Sequence, residues 1–252
     1  MIPFKSVELR FYGDLVDFVA GRQRVLERTF DVAPSVKDMI EACGVPHPEI
    51  DLVLIDGVPA GWDHPVADGE RISVFPRFRT FDIAQLSPVH VAPLTEPRFV
   101  LDGHLGKLAR YLRLLGIDAE LPADADDIAL ARVSHRGCRA LLTRHIELLK
   151  RSIVTHGYFV RPTDALLQCA DVVRYFELTN HIAPFTRCMA CNGVLRRATE
   201  EAVEANVPPR VRSRHEHFDA CPDCGRVYWM GSHTKRLRDI VTSVRNSAHL
   251  AR

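Results

Sequence analysis

Hydrophobic and polar positions change period along the chain, and each change marks an element. Val7 to Tyr12 alternates apolar and polar, the pattern of a half-buried strand. Arg24 to Asp31 gives a second candidate strand. Pro34-Ser35 followed by VKDMIEAC predicts a short capped helix, with Val36, Met39 and Ile40 at helical spacing and Gly44 as its stop. Asp51 to Ile55 is an apolar strand running into Asp56-Gly57, a hairpin-type turn, and Arg71 to Phe75 is the last strand. Together these predict a small α+β module over residues 1–82. Residues 83–97 hold Pro88, Pro93 and Pro97 with no helical or alternating period, so they read as an extended linker.

Beyond the linker, short apolar runs alternate with helical stripes. Arg98 to Leu101 is a buried-type strand ending at Asp102. Leu105, Leu108, Ala109, Leu112 and Leu115 share one helix face, and Gly116 sits where a helix cap belongs. Asp126-Asp127 opens a helix through Arg132, and Arg139 to Thr143 is another apolar strand. Thr163-Asp164 opens a third helix with Leu166, Leu167, Ala170 and Val173 inward. Such alternation predicts an α/β domain with a parallel sheet over residues 98–185.

Composition narrows the class. The 252 residues are 46% hydrophobic and 26% charged, which is globular and excludes disordered and coiled-coil chains. The longest apolar runs fall well short of the roughly 20 residues of a membrane helix. The opening MIPFKSVELRFYGD lacks an apolar signal core, so the expected location is cytoplasmic, with no membrane partner. Net charge is +1, but unevenly spread. Residues 1–82 hold 9 basic against 14 acidic side chains, whereas residues 186–252 hold 12 against 7. A polyanion beside the second half is one reading and a solvated basic face the other.

Candidate chemistry gathers in that half. Asp102 and Arg144-His145 each follow a predicted strand, where α/β sheets place functional groups. Asp124, Asp126 and Asp127 are able to join Asp102 around a hard divalent cation, or simply to cap a helix. Lys107, Arg110 and Arg113 fall three apart on the helix beside Asp102, suiting a phosphate backbone or a solvated face. Cys188-Met-Ala-Cys191 and Cys221-Pro-Asp-Cys224 are two knuckles separated by 29 residues. Four thiolates so spaced suit a structural Zn²⁺, against redox pairs, disulfides or an iron–sulfur cluster. The other cysteines, Cys43, Cys138 and Cys169, read as core residues. Tyr228 and Trp229 are expected on a strand after the second knuckle. Arg210, Arg212 and Arg214 alternate between the knuckles, and Lys235, Arg236 and Arg238 follow them in a basic tail over residues 234–252; beside a zinc ribbon these, like Arg144, suit RNA phosphates, against a solvated loop and tail.

Two resemblances add to these readings. VELRFYG, PSVKDMIEACG and LVLIDGVPA followed by DGERISVFP resemble the ubiquitin-like β-grasp fold of ThiS/MoaD-type sulfur carriers. Carrier chemistry needs a Gly-Gly carboxyl end. Here Val74-Phe75-Pro76 runs on into Arg77-Phe78-Arg79, so only the fold and a partner-docking role carry over. FVLDGHLGKLARYLRLLGIDAE, ALLTRHIELLKR, TRCMACNGVL and CPDCGRVYWMGSH closely resemble the Mut-seven C-terminal ribonuclease domain family, a branch of the PIN-like nucleases. The resemblance covers residues 98–233. It implies a PIN-like fold preceded by a β-grasp domain and followed by a zinc ribbon over 186–233. It also implies RNA as the ligand and Mg²⁺- or Mn²⁺-dependent hydrolysis. Asp102 then matches the family's first acid, Asp126 or Asp127 its second, and Thr143-Arg144 its Thr-Arg, while His145 stands where the family has Asp. Imidazole is a poor Mg²⁺ ligand, so weakened or lost cleavage with RNA binding retained is expected. The alternative is a non-catalytic RNA-binding protein that docks a partner through its β-grasp domain.

Overall fold

The computed structural model describes residues 5–231 and 234–249. Its strands are β1 (Lys5–Phe11), β2 (Val25–Phe30), β3 (Ile50–Ile55), β4 (Val58–Pro59), β5 (Arg71–Pro76), β6 (Arg98–Leu101), β7 (Asp118–Glu120), β8 (Ala140–Thr143), β9 (Gly157–Phe159), β10 (Arg196–Arg197), β11 (Phe218–Ala220) and β12 (Val227–Trp229). Its α-helices are α1 (Val36–Ala42), α2 (Gly106–Leu114), α3 (Asp127–Arg136), α4 (Ile146–Leu149), α5 (Ala165–Tyr175), α6 (Glu200–Asn206), α7 (Pro209–Arg212) and α8 (Thr234–His249). No described helix is long and apolar enough to cross a membrane. Two compact units result, Met1–Leu94 with Thr143–Phe159, and Thr95–Leu142 with Val160–Arg252.

The first unit is a mixed sheet in the order β2-β1-β5-β3-β4, with β1 and β5 parallel and the other pairs antiparallel. This is the expected ubiquitin-like β-grasp. The inward positions of its strands (Val7, Leu9, Phe11, Val53, Ile72, Val74) close over Val36 and Ile40 of α1. Ser35 caps that helix by accepting the Asp38 amide at 3.1 Å. Asp56 and Gly57 both take positive φ, 48° and 88°, as the hairpin turn requires. Residues 83–94, read from sequence as an extended linker, pack instead on this unit. Ile83, Ser87 and Val89 are buried, the Ser87 hydroxyl donates to the Asp51 carbonyl at 2.7 Å, and His90 pairs with the Asp51 carboxylate at 2.7 Å. Residues 143–159 are anchored here as well. Buried Glu49 accepts the Phe159 amide at 2.6 Å, and His47 bridges Glu41 and the Val154 carbonyl at 2.7 and 2.8 Å.

In the second unit β7 and β8 flank β6, both parallel to it. Phe99, Val100 and Leu101 of β6 are buried on both faces, which explains their unbroken apolar run. Helix α2 buries the predicted stripe of Leu105, Leu108, Ala109, Leu112 and Leu115, each leucine contributing about 1.5–3 kcal/mol. It stops at Gly116 in a Schellman turn, where the Ile117 amide donates to Leu112 O and the Gly116 amide to Arg113 O. Gly116 has φ +83°, and a Cβ there would lie 2.1 Å from the Ala183 carbonyl oxygen, so only glycine fits.

Three sequence expectations need correcting here. Leu167 of α5 faces outward at 58% exposure, whereas Ala170 and Val173 are buried as expected, beside Ala165, Gln168, Cys169 and Val172. Cys138 is exposed at a positive-φ turn, not in the core. The segment read as a basic tail forms α8, which packs on α5 and buries Val241 and Val244, leaving Lys235, Arg236 and Arg238 exposed.

Candidate metal centre and basic cleft

The four cysteines of the two knuckles converge. Their sulfurs all lie within 4.8 Å of one another, with Cys188–Cys224 at 3.6 Å and Cys191–Cys221 at 3.3 Å. Ligands about 2.3 Å from a tetrahedral ion stand about 3.8 Å apart, so donor set and spacing suit Zn²⁺. Each knuckle is shaped by its own backbone. The Cys188 amide donates to Gly193 O and the Cys221 amide to Arg226 O. A Cβ at Gly193 would fall 2.2 Å from Asp223 Oδ2 and 2.8 Å from Cys221 Sγ, so a side chain there would displace Asp223 and crowd a cluster sulfur. The Tyr228 hydroxyl lies 3.0 Å from Cys188 Sγ. Burial opposes ionisation of Cys188, but hydrogen bonds from Tyr228 and the knuckle backbone outweigh it and bring the thiol down to about 6. His215 and His217 are not among the cluster's ligands. The antiparallel strands β10, β11 and β12 complete the ribbon, with Tyr228 and Trp229 on β12 as expected.

The ribbon is tied to the α/β sheet by polar groups that carry no motif. Arg113 is 4% exposed. Its Nε donates to Ala119 O at 2.8 Å and its Nη1 to Ala190 O at 2.7 Å, joining β7 to the first knuckle. Burial lowers its pKa from the ordinary guanidinium value, opposed by the charges of Cys191 and Cys188. Arg113, expected at a phosphate, is thus mostly buried and spends its guanidinium on a structural latch, while it also lines the cleft described next. Asp118 forms a second tie, accepting from Arg139 Nη1 at 2.6 Å and Asn192 Nδ2 at 2.8 Å, with Arg187 at 3.5 Å. Burial pushes the Asp118 carboxyl up, but Arg139, Asn192 and Arg187 hold it below the usual carboxylate range.

Lys107 and Arg110 remain exposed on α2 and line a cleft of about 810 Å³. Across it stand Arg226 and Tyr228 of the ribbon, with Met189 and Ala190 of the first knuckle. Among the described residues no carboxylate lines this cleft, and buried Arg113 belongs to its lining as well. Among the described residues Lys107, Arg110 and Arg226 make no salt bridge, which leaves three exposed, unneutralised cations facing one space. The run at Arg210, Arg212 and Arg214 turns out helical, in and just after α7, which divides it. Arg210 and Arg214 are exposed, whereas Arg212 is half-buried and reaches Glu204 at 3.8 Å.

The predicted acids are less gathered. Asp102 is half-buried at the end of β6, and its amide donates to Leu142 O at 3.1 Å, so the two strands are neighbours as expected. Asp126 caps α3, accepting the Ala129 amide at 2.7 Å, and Asp127 lies in the first turn. Among the described residues Asp102, Asp126 and Asp127 do not form a ligand cluster. Arg144 and His145 are exposed and belong to the first unit, the His145 amide donating to Thr143 Oγ1 at 2.9 Å.

With this arrangement in view, residues 97–241 match the Mut7-C RNAse domain. The chain belongs to the Mut7-C RNAse domain family. Residues 4–82 match the Mut7-C ubiquitin domain, so the order of modules is that of a Mut7-C protein with its ubiquitin-like domain in front. No curated protein matches. Two crystal structures of small archaeal modifier protein 1 from Haloferax volcanii are similar to the chain at 24% and 22% identity. They cover 29% of this chain and 99% and 96% of those, with a TM-score of 0.25 each. Sequence reasoning found the cysteines and missed Asp118, Asn192 and Arg187, for which no local signal exists.

Proposed function

We propose that this Mut7-C protein binds RNA through its second unit and that any metal-dependent ribonuclease activity centred on Asp102 is weak or lost. The observation that carries the reading is the carboxylate-free cleft bordered by Lys107, Arg110 and Arg226, inside a domain of a ribonuclease family. Cations that are not paired within the protein gain most from a polyphosphate, because binding releases the counterions condensed on it. Zn²⁺ on the four cysteines holds the ribbon side of that cleft in place and takes no part in cleavage. His145 replaces the acid expected at that position, and Asp126 spends an oxygen on the cap of α3, so the demand of Mg²⁺ for anionic oxygen is poorly met.

The test incubates zinc-loaded protein with labelled single-stranded and structured RNA, with Mg²⁺ and Mn²⁺ in turn, beside Asp102→Asn and His145→Asp. Expected are salt-sensitive binding by all three proteins, little turnover by the wild type, and a gain with His145→Asp. Absence of RNA binding at low salt overturns the reading. Rapid Mg²⁺-dependent cleavage abolished by Asp102→Asn overturns its catalytic half and leaves an active nuclease.

A further inference from the structure

Beside the basic cleft lies a second cavity of about 240 Å³, lined by Phe185, Met189, Tyr228, Trp229, Met230 and Leu237 among others. Its polar wall carries His217, Asp219 and Arg187. Met189 and Tyr228 line both spaces, so the two share a wall. The chemistry differs across that wall. One side presents three exposed cations without a salt bridge above buried Arg113 and, among the described residues, no carboxylate. The other presents aromatic and thioether surface with a few hydrogen-bonding groups.

We infer that this seam between α2 and the ribbon is a nucleotide site for single-stranded RNA, with phosphate among Lys107, Arg110 and Arg226 and an unstacked base against Trp229 and Tyr228. The inference rests on the RNA-binding reading above and deepens it. Size agrees, since about 240 Å³ is below the roughly 300–1,000 Å³ of pockets for drug-sized ligands and suits one planar ring system. Exposure agrees as well. Trp229 is 37% exposed and Met230 47%, large apolar side chains left in reach of solvent where aromatic platforms for bases stand. Asp219 and His217 at the rim are able to read a base edge, one as acceptor and the other as either partner. Duplex RNA is disfavoured because its bases are stacked and its aromatic-accessible faces are hidden.

Zinc enters through Tyr228. Its hydroxyl lies 3.0 Å from Cys188 Sγ, so the shared wall is set by the metal centre, and both halves of the site depend on an intact ribbon.

The experiment uses the full zinc-loaded chain and fluorescently labelled RNA. Four probes are compared: a single-stranded oligonucleotide, the same strand with abasic positions, its duplex, and inorganic polyphosphate. Variants are Arg226→Ala, Trp229→Leu and Trp229→Phe, with zinc content measured for each to confirm that the ribbon is intact. Trp229→Leu is expected to weaken single-strand binding about tenfold, with Trp229→Phe largely restoring it and abasic RNA insensitive to either. Arg226→Ala is expected to lower the salt dependence by about one phosphate for every probe. If the wild type binds no RNA, the functional reading fails, and this site with it. If RNA binds but the duplex equals the single strand, or zinc-replete Trp229→Leu binds normally, the site is overturned while RNA binding stands. If polyphosphate binds as tightly as RNA, the phosphate half alone is real and the base pocket is rejected.

Discussion

Within the second unit, four cysteines and three aspartates are candidates for a metal, and among the described residues only the cysteines form a ligand cluster. The cysteines sit in two short turns, each fixed by its own backbone hydrogen bonds and completed by one long-range meeting of Cys191 with Cys221 and Cys188 with Cys224. Most of that geometry is local. The aspartates come from the end of β6 and the start of α3, and each start or end has orphan backbone groups of its own to satisfy. Asp126 meets that local need, and its carboxylate is drawn to Ala129 N. A thiolate has no comparable competing use at a turn, whereas an aspartate before a helix almost always does.

The largest effect that sharpens this contrast comes from the metal. Structural Zn²⁺ typically binds with about 10–16 kcal/mol, more than a small ribbon gains from its own burial. Chelation, or Cys221→Ser, is expected to unfold β10–β12 and lower the melting temperature of the second unit. Loss of ribbon amide protection, followed by hydrogen exchange, checks it. The change should extend to β7, because Arg113 and Asp118 bind ribbon and sheet together. If β7 amides keep full protection in the stripped protein, those ties are weaker than their geometry implies.

Next in size are the ties themselves. Asp118→Ala leaves Arg187 without that carboxylate and Arg139 with Glu120 alone in half-buried surroundings, and a loss of about 2–3 kcal/mol in chemical denaturation is expected. The pH dependence has a definite sign. The folded pKa of Asp118 lies below its ordinary 3.8, so its stabilisation is complete above that value. It is lost as the pH falls through the folded pKa. Asp118→Asn should therefore flatten the acid limb of the stability curve and leave its slope near neutral pH unchanged.

How much of this was legible depends on how local each signal is. The stop at Gly116, the turn at Asp56-Gly57 and the two knuckles are set within a few residues, and all stand as read. The α2 stripe was equally clear, yet its basic line was overextended. Positions three apart drift about 60° per step around a helix of 3.6 residues per turn. From Lys107 to Arg113 that turns the side chain about 120°, to the margin of the apolar stripe. There Arg113 is buried and bonded to backbone carbonyls, reaching the cleft only as part of its lining. Strand β7 spans three residues and β10 two, too short for any period to show. The Asp118–Asn192 bond joins positions 74 apart, and neither residue belongs to a recognisable pattern.

The smallest predicted effect bears most directly on the aspartates. Removing an N-cap carboxylate costs about 1 kcal/mol, so Asp126→Ala is expected to destabilise the protein by that amount, read from denaturant midpoints. Alanine alone does not separate a cap from a metal ligand, since both would be lost. Serine does, because its hydroxyl caps a helix about as well as aspartate but offers Mg²⁺ no charge. If the cap is the whole role of Asp126, Asp126→Ser recovers the stability and leaves any Mn²⁺-dependent cleavage at the wild-type level. If stability returns while cleavage disappears, Asp126 holds a metal in the working state. The capped conformation would then be the resting one, and the carboxylate would have to leave Ala129 N when RNA and metal arrive.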